Sequence, residues 1–266
     1  MKRRRVMYLL VLLLYGCSGL EQSEQDTMRK ANAKAEVIFR RQDETFCTIS
    51  TPKHRVRELY SWENRFIGNQ RMITKEYFRC RGDAKNFPRI IKMGAGEQTY
   101  YDCGGYAKHS LPTRGEKEYI YPILIELLNH VQKITEKKVV ITCGHRCPAH
   151  ESYAQLVPSY ALSKHVIGAE VDFYVEGMED NPRAIVEILK GYYAQHRDKD
   201  FFSFIKTPHS EENKEVSFKI IPKGEGRDLD NNHPYPYITI QVKYDRGLQK
   251  KITYTLKEAN SCYLRW

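Results

Sequence analysis

The chain has 266 residues and a mass of 31.3 kDa, enough for one sizeable core plus an extension. Apolar residues make up 41% and charged residues 29%, a balance that excludes wholesale disorder. No run approaches the roughly 20 apolar residues needed to cross a bilayer. Lysine and arginine outnumber the acids, 43 to 33, but beyond residue 5 no basic run is long enough to line a nucleic-acid groove. Nucleic acid is therefore not an expected partner.

The basic start Lys2 to Arg5, the apolar run Val6 to Tyr15 and the small Gly16 have the layout of a secretory signal. Leu14-Tyr15-Gly16-Cys17 resembles the lipobox of bacterial lipoproteins, the alternative being an ordinary signal that contains a cysteine. The resemblance implies a signal peptide over residues 1–16 and acylation of Cys17, which becomes the new N-terminus. The protein is then exported and held to the membrane by a lipid anchor, each buried methylene contributing about 0.8 kcal/mol. Ser18 behind Cys17 leans towards the outer membrane of a Gram-negative host. Loss of residues 1–16 takes the net charge from +10 to about +6, a surface that suits an anionic polymer or headgroups.

Six further cysteines remain, Cys47, Cys80, Cys103, Cys143, Cys147 and Cys262. An even number in an exported chain predicts up to three disulfides, with Cys143 or Cys147 bracing the turn between them. A zinc–thiolate cluster is the competing arrangement. No C-x-x-C pair occurs, and an oxidising compartment disfavours free thiolates.

Residues 17–42 are polar and read as the anchor's tether running into a solvated helix. Residues 43–116 are rich in cysteine and tyrosine and read as an irregular, disulfide-stapled region. From residue 117 to 266 the pattern is regular. Ile120, Ile123, Leu124, Leu127, Leu128 and Val131 share one helical face within Tyr119 to Thr135. Val139 to Thr142 is a short buried strand. Ala169 to Val175 alternates as a strand, with Val171, Phe173 and Val175 towards the core and Glu170, Asp172 and Tyr174 opposite. Asn181-Pro182 caps a second helix. Strands are predicted at Val216–Ile221, Tyr237–Tyr244 and Ile252–Leu256, the last two paired around Asp245-Arg246-Gly247. Helices and strands without βαβ alternation imply an α+β fold with a small, mostly antiparallel sheet and flanking helices.

His165 lies on the loop entering the strand at Ala169, seven residues before Asp172, so an imidazole and a carboxylate can converge. That pair could hold a metal, be a surface pair, or be a histidine oriented by an acid. Ser163, His165, Gly168 and Asp172 match the S-x-H-x-x-G-x-A-x-D motif of the zinc D-alanyl-D-alanine carboxypeptidases, dipeptidases and endolysins. Thr142-Cys143-Gly144-His145-Arg146-Cys147-Pro148 resembles that family's S-G-Y-R-x-P turn, in the right order along the chain. The resemblance spans roughly residues 117–244. It implies His165 and Asp172 as zinc ligands and Arg146 as the group that binds a peptide carboxylate or the oxyanion. It also implies that Ser163 orients the loop. Glu170 stands where the motif has alanine, either adding charge beside the metal or meeting solvent, and His145 replaces the turn's tyrosine.

For the third ligand the sequence offers two registers. One uses His233, with Asp230 three residues earlier as general base. The other aligns the apolar strand and puts Thr239 at the histidine position and Pro236 at the acid position, leaving the metal site incomplete. His209 is a more distant candidate. The ligand-plus-acid pattern selects His233 with Asp230, Glu170 being the substitute base. The expectation is an envelope lipoprotein acting as a Zn2+ peptidase on D-alanine-containing peptidoglycan stem peptides. Its rival is a protein of the same fold that binds peptidoglycan or an envelope partner without cleaving it; a third possibility is a structural envelope protein cross-linked through its cysteines.

Overall fold

The computed structural model describes residues 65–93, 96–155, 163–194, 199–224 and 228–265. The signal segment, Cys17, the tether and Cys47 lie outside the described residues. Those described belong to one compact unit, Leu59–Trp266.

The unit begins with two hairpins, β1 (Phe66–Ile67) with β2 (Gln70–Arg71) and β3 (Arg89–Met93) with β4 (Gly96–Tyr100). Strands β5 (His109–Arg114) and β6 (Lys117–Glu118) lead into helix α1 (Pro122–Thr135). Then come β7 (Val139–Cys143), helix α2 (Pro148–Ala154), β8 (Glu170–Val175) and helix α3 (Pro182–Tyr193). Helix α4 (Lys199–Phe202) precedes β9 (Ile205–Lys206), β10 (Glu211–Glu212), β11 (Val216–Ile221) and β12 (Tyr237–Val242). A small hairpin, β13 (Tyr244–Asp245) with β14 (Lys250–Lys251), is followed by helix α5 (Leu256–Ser261) and β15 (Tyr263–Arg265).

Six strands make one sheet in the order β7-β8-β12-β11-β10-β9, every neighbour antiparallel. This is the α+β architecture that the sequence implies. Helix α1 starts at Pro122, whose missing N–H costs nothing in the first turn. It buries Ile123, Leu124, Leu127, Leu128 and Val131, each such side chain contributing about 1.5–3 kcal/mol. Glu136, left-handed at φ 55°, ends it. Asn181 caps α3 by accepting the Ala184 N–H at 3.2 Å. Val171, Phe173 and Val175 of β8 sit in the core, but Glu170 and Asp172 are buried as well, so both faces of this central strand are covered.

Two expectations are corrected. Ile252–Leu256 is not a strand. Thr255 and Glu258 form a reciprocal capping box, at 3.2 and 2.6 Å, that starts α5 instead, and Asp245 turns into the short β13–β14 hairpin. The disulfide staple is also absent among the described residues: Cys80, Cys103, Cys143, Cys147 and Cys262 are all unpaired. Cys80 Sγ and Cys103 Sγ stand 3.6 Å apart, against about 2.05 Å for a disulfide. Hydrogen bonds fasten the early segment to the core instead. Asn129 exchanges two with the Ile73 backbone, at 2.9 and 2.8 Å, and Arg79 grips Glu118 with two nitrogens, each at 2.9 Å. No described helix is long and apolar enough to cross a membrane.

Candidate metal centre

The sheet order brings the sequence motifs together. β8 lies between β7 and β12, so Asp172 pairs with Cys143 on one side and with Thr239 on the other. His165 sits in the 3-10 turn Lys164–Ile167, which Gly168 closes with φ +69°. That turn lays the imidazole over β8, with Nε2 3.3 Å from Asp172 Oδ2. Nδ1 faces the other way, donating to the Gly144 carbonyl at 2.6 Å, with Cys143 Sγ 3.4 Å away. Cys143, His165 and Asp172 each place a ligand atom within 4.8 Å of the others, and all three are buried.

Both oxygens of Asp172 accept hydrogen bonds, Oδ1 from Thr239 Oγ1 at 2.7 Å and Oδ2 from Asn231 Nδ2 at 2.9 Å. Burial works against charge on both members of the pair. Even so, Cys143, Glu170 and Asp172 hold the His165 pKa well above its ordinary value. His165 and the Thr239 hydroxyl in turn keep Asp172 below the usual carboxylate range. Burial pushes the Cys143 thiol up to about 12.

His233 is elsewhere. Its ring packs among Tyr174, Tyr235 and Tyr237 at centroid distances of 5.4, 6.2 and 5.6 Å. It belongs to none of the groups that could hold a metal among the described residues. The position facing Asp172 on the late strand is Thr239. Glu170 does not meet solvent: it accepts the Lys164 N–H at 3.0 Å and the Gln241 amide at 2.8 Å, and lies 3.9 Å from His165 Nε2. Ser163 precedes the 3-10 turn, its buried hydroxyl making no hydrogen bond among the described residues. His209 lies beside Thr207 and Ser210 in a separate cleft next to α3.

Arg146 is almost wholly buried among three carboxylates, Asp230 at 2.6 Å, Asp228 at 2.8 Å and Glu151 at 3.4 Å. Burial opposes its charge, but Cys143 and these acids hold its pKa well above the usual range. His150, on α2, bridges Asp102 at 2.7 Å and Asp230 at 3.0 Å. The same two acids overcome its desolvation and push its pKa up to about 12. Desolvation would raise Asp230, yet His150 and Arg146 hold it far below its usual value. Asp230 is thus a clamped anion between two cations, and Asn231, the next residue, supplies the contact to Asp172.

Two residues escaped the sequence reading. Cys143, expected in a disulfide, ends β7 before the arginine turn and lies against His165 instead. Asn231 carried no signal beyond its place beside Asp230.

The donor set fits a metal in part. Zinc ligated tetrahedrally by nitrogen and oxygen holds them about 3.4 Å apart, and His165 Nε2 and Asp172 Oδ2 stand at 3.3 Å. The Nδ1 donation to a backbone carbonyl is the orientation that frees Nε2. Cys143, however, lies on the Nδ1 side, and Thr239 offers only a hydroxyl already given to Asp172. No family model, no curated protein and no solved structure matches the chain.

Proposed function

We propose that this chain is an exported, lipid-anchored envelope protein that binds peptidoglycan stem peptides on a peptidase-like scaffold without cleaving them. The observation that carries this reading is the pairing of Thr239, not a histidine, with Asp172. A hydrolytic zinc site needs three protein ligands and an open position for water. Here two groups are posed for the ion, and the carboxylate nearest the Arg146 turn is neutralised by Arg146 and His150. Zinc, when bound at His165 and Asp172, would supply a Lewis acid. With two ligands its occupancy is expected to be low. The motifs around Arg146 and Asp172 supply the substrate class, and the Cys17 junction supplies the anchor.

The hydrolytic reading rests on Cys143, whose sulfur near His165 could complete a three-ligand set if the imidazole turned. One experiment separates the two. Zinc-supplemented mature protein is incubated with a pentapeptide ending in D-Ala-D-Ala, and the products are followed by mass spectrometry. The peptide should stay intact, as with His165→Ala, while the protein co-sediments with purified peptidoglycan. D-Alanine release that depends on His165 would establish the hydrolase. Failure to co-sediment would remove the binding role.

A further inference from the structure

The predicted disulfide staple is replaced by something more specific. Cys80 follows the 3-10 turn Lys75–Phe78, Cys103 lies in the loop after β4, His109 opens β5, and Cys147 caps α2. These residues come from four separate places in the unit, yet their three sulfurs and one ring nitrogen all lie within 4.8 Å of one another. We infer that Cys80, Cys103, His109 and Cys147 bind one structural zinc ion, which clamps the segment before α1 to the Arg146 turn.

The spacing of the ligand atoms is that of a coordination shell. Two sulfurs about 2.3 Å from a tetrahedral zinc stand about 3.8 Å apart, and a sulfur and an imidazole nitrogen about 3.6 Å. Cys80 Sγ to Cys103 Sγ is 3.6 Å, and His109 Nε2 to Cys103 Sγ is 3.4 Å. Three cysteines cannot all pair with one another, whereas three thiolates and an imidazole complete a closed structural site.

The surroundings are built for it. His109 Nδ1 is hydrogen-bonded to the Ser110 carbonyl at 2.9 Å, which turns Nε2 towards the sulfurs. The Gly105 N–H donates to Cys103 Sγ at 3.2 Å, and the His150 N–H to Cys147 Sγ at 3.5 Å, the contacts a metal-bound thiolate accepts. Gly104 and Gly105 both have positive φ, +80° and +72°, so the chain folds back after Cys103 as few other residues allow. A Cβ at Gly82 would collide with Cys103 Sγ itself. Cys80, His109 and Cys147 are buried, and Tyr263 of β15 closes the cluster. Zinc binding displaces the three thiol protons, and thiolates bound to a closed ion are shielded from the oxidation an exported protein meets.

The clamp does not depend on whether His165 and Asp172 bind metal, and the test is designed accordingly. Full-length protein carrying His165→Ala is purified without added metal and dialysed against EDTA. One tightly held zinc per chain should remain, its three thiols unreactive to a thiol reagent until the protein is unfolded with chelator present. Exchange for cobalt in that variant should give the strong near-ultraviolet absorption of cobalt–thiolate bonds. Adding Cys103→Ser should remove the zinc, and adding Cys262→Ser should not. A peptide map of purified protein joining any two of Cys80, Cys103 and Cys147 by a disulfide would overturn the inference. So would a metal-free wild type with three reactive thiols, or full zinc retained by Cys103→Ser. If Cys103→Ser does not fold, the cobalt spectrum and thiol count of the His165→Ala protein decide the matter.

Discussion

Arg146→Leu is expected to be among the most destabilising single changes in the chain, costing about 3–5 kcal/mol. The side chain is 4% exposed, and its guanidinium serves Asp228, Asp230 and Glu151 together. Leucine fills much of the space but leaves three buried acids, with only Asp230 keeping a cation, His150. At roughly 2–4 °C per kcal/mol for a unit of this size, the melting temperature should fall by about 10 °C at pH 7. The pH dependence identifies the cause. In the variant the crowded carboxylates take raised pKa values, so the folded state binds more protons than the unfolded one, and the deficit shrinks as the pH falls towards 4.

The wild type behaves differently. Asp102, held at about 2, and Asp230, held lower, stabilise fully above their unfolded values near 3.9. That contribution is lost only as the pH falls through their folded values. His150, pushed up to about 12, stabilises fully below about 6.5 and progressively less as the pH climbs towards 12. The network is therefore complete from about pH 4 to 6.5. Thermal melts of both proteins across that range test this; equal melting temperatures would mean that Arg146 is free to meet a ligand.

What was legible in the sequence was local. The spacing Ile123, Leu124, Leu127, Leu128, Val131 and the pair Asn181-Pro182 act within one or two turns, and α1 and α3 follow them closely. The alternation from Ala169 located β8, and the seven-residue interval placed His165 beside Asp172. Patterns set by strand pairing were legible only as alternatives, the Thr239 register among them. Pro234 and Pro236 divert the chain between His233 and β12, so the β8–β12 ladder selects Thr239 and leaves His233 among tyrosines. Thr255-x-x-Glu258 was a readable cap that the apolar Ile252 obscured. The cysteines were misassigned for a related reason. Their number suggested pairs, but Cys80, Cys103 and Cys147 meet only because the stretch after the Lys75–Phe78 turn, the loop after β4 and the start of α2 converge, with no short spacing to announce it.

Asp172→Ala should rival the Arg146 change, at about 3–5 kcal/mol, because one carboxylate satisfies three buried partners. Its removal strands the Thr239 hydroxyl, the Asn231 amide and a His165 that burial and Cys143 surround. Thr239→Val, which removes a single donor from Asp172, should cost about 1–3 kcal/mol. Combined, the two should cost less than their sum by about 0.5–3 kcal/mol, since the lost hydrogen bond is counted in each single variant. The alkaline limb gives the sign. His165 has a raised folded pKa, so its stabilisation is complete below about 6.5 and fades as the pH rises through the folded value. The gap between wild type and Asp172→Ala should therefore narrow at alkaline pH, where the Arg146→Leu gap does not. The gap should also be unchanged by added zinc, since the cysteine cluster inferred to bind it is the same in both proteins. A wild-type melting temperature that zinc raises while leaving Asp172→Ala untouched would show that His165 and Asp172 are ligands first and an ion pair second.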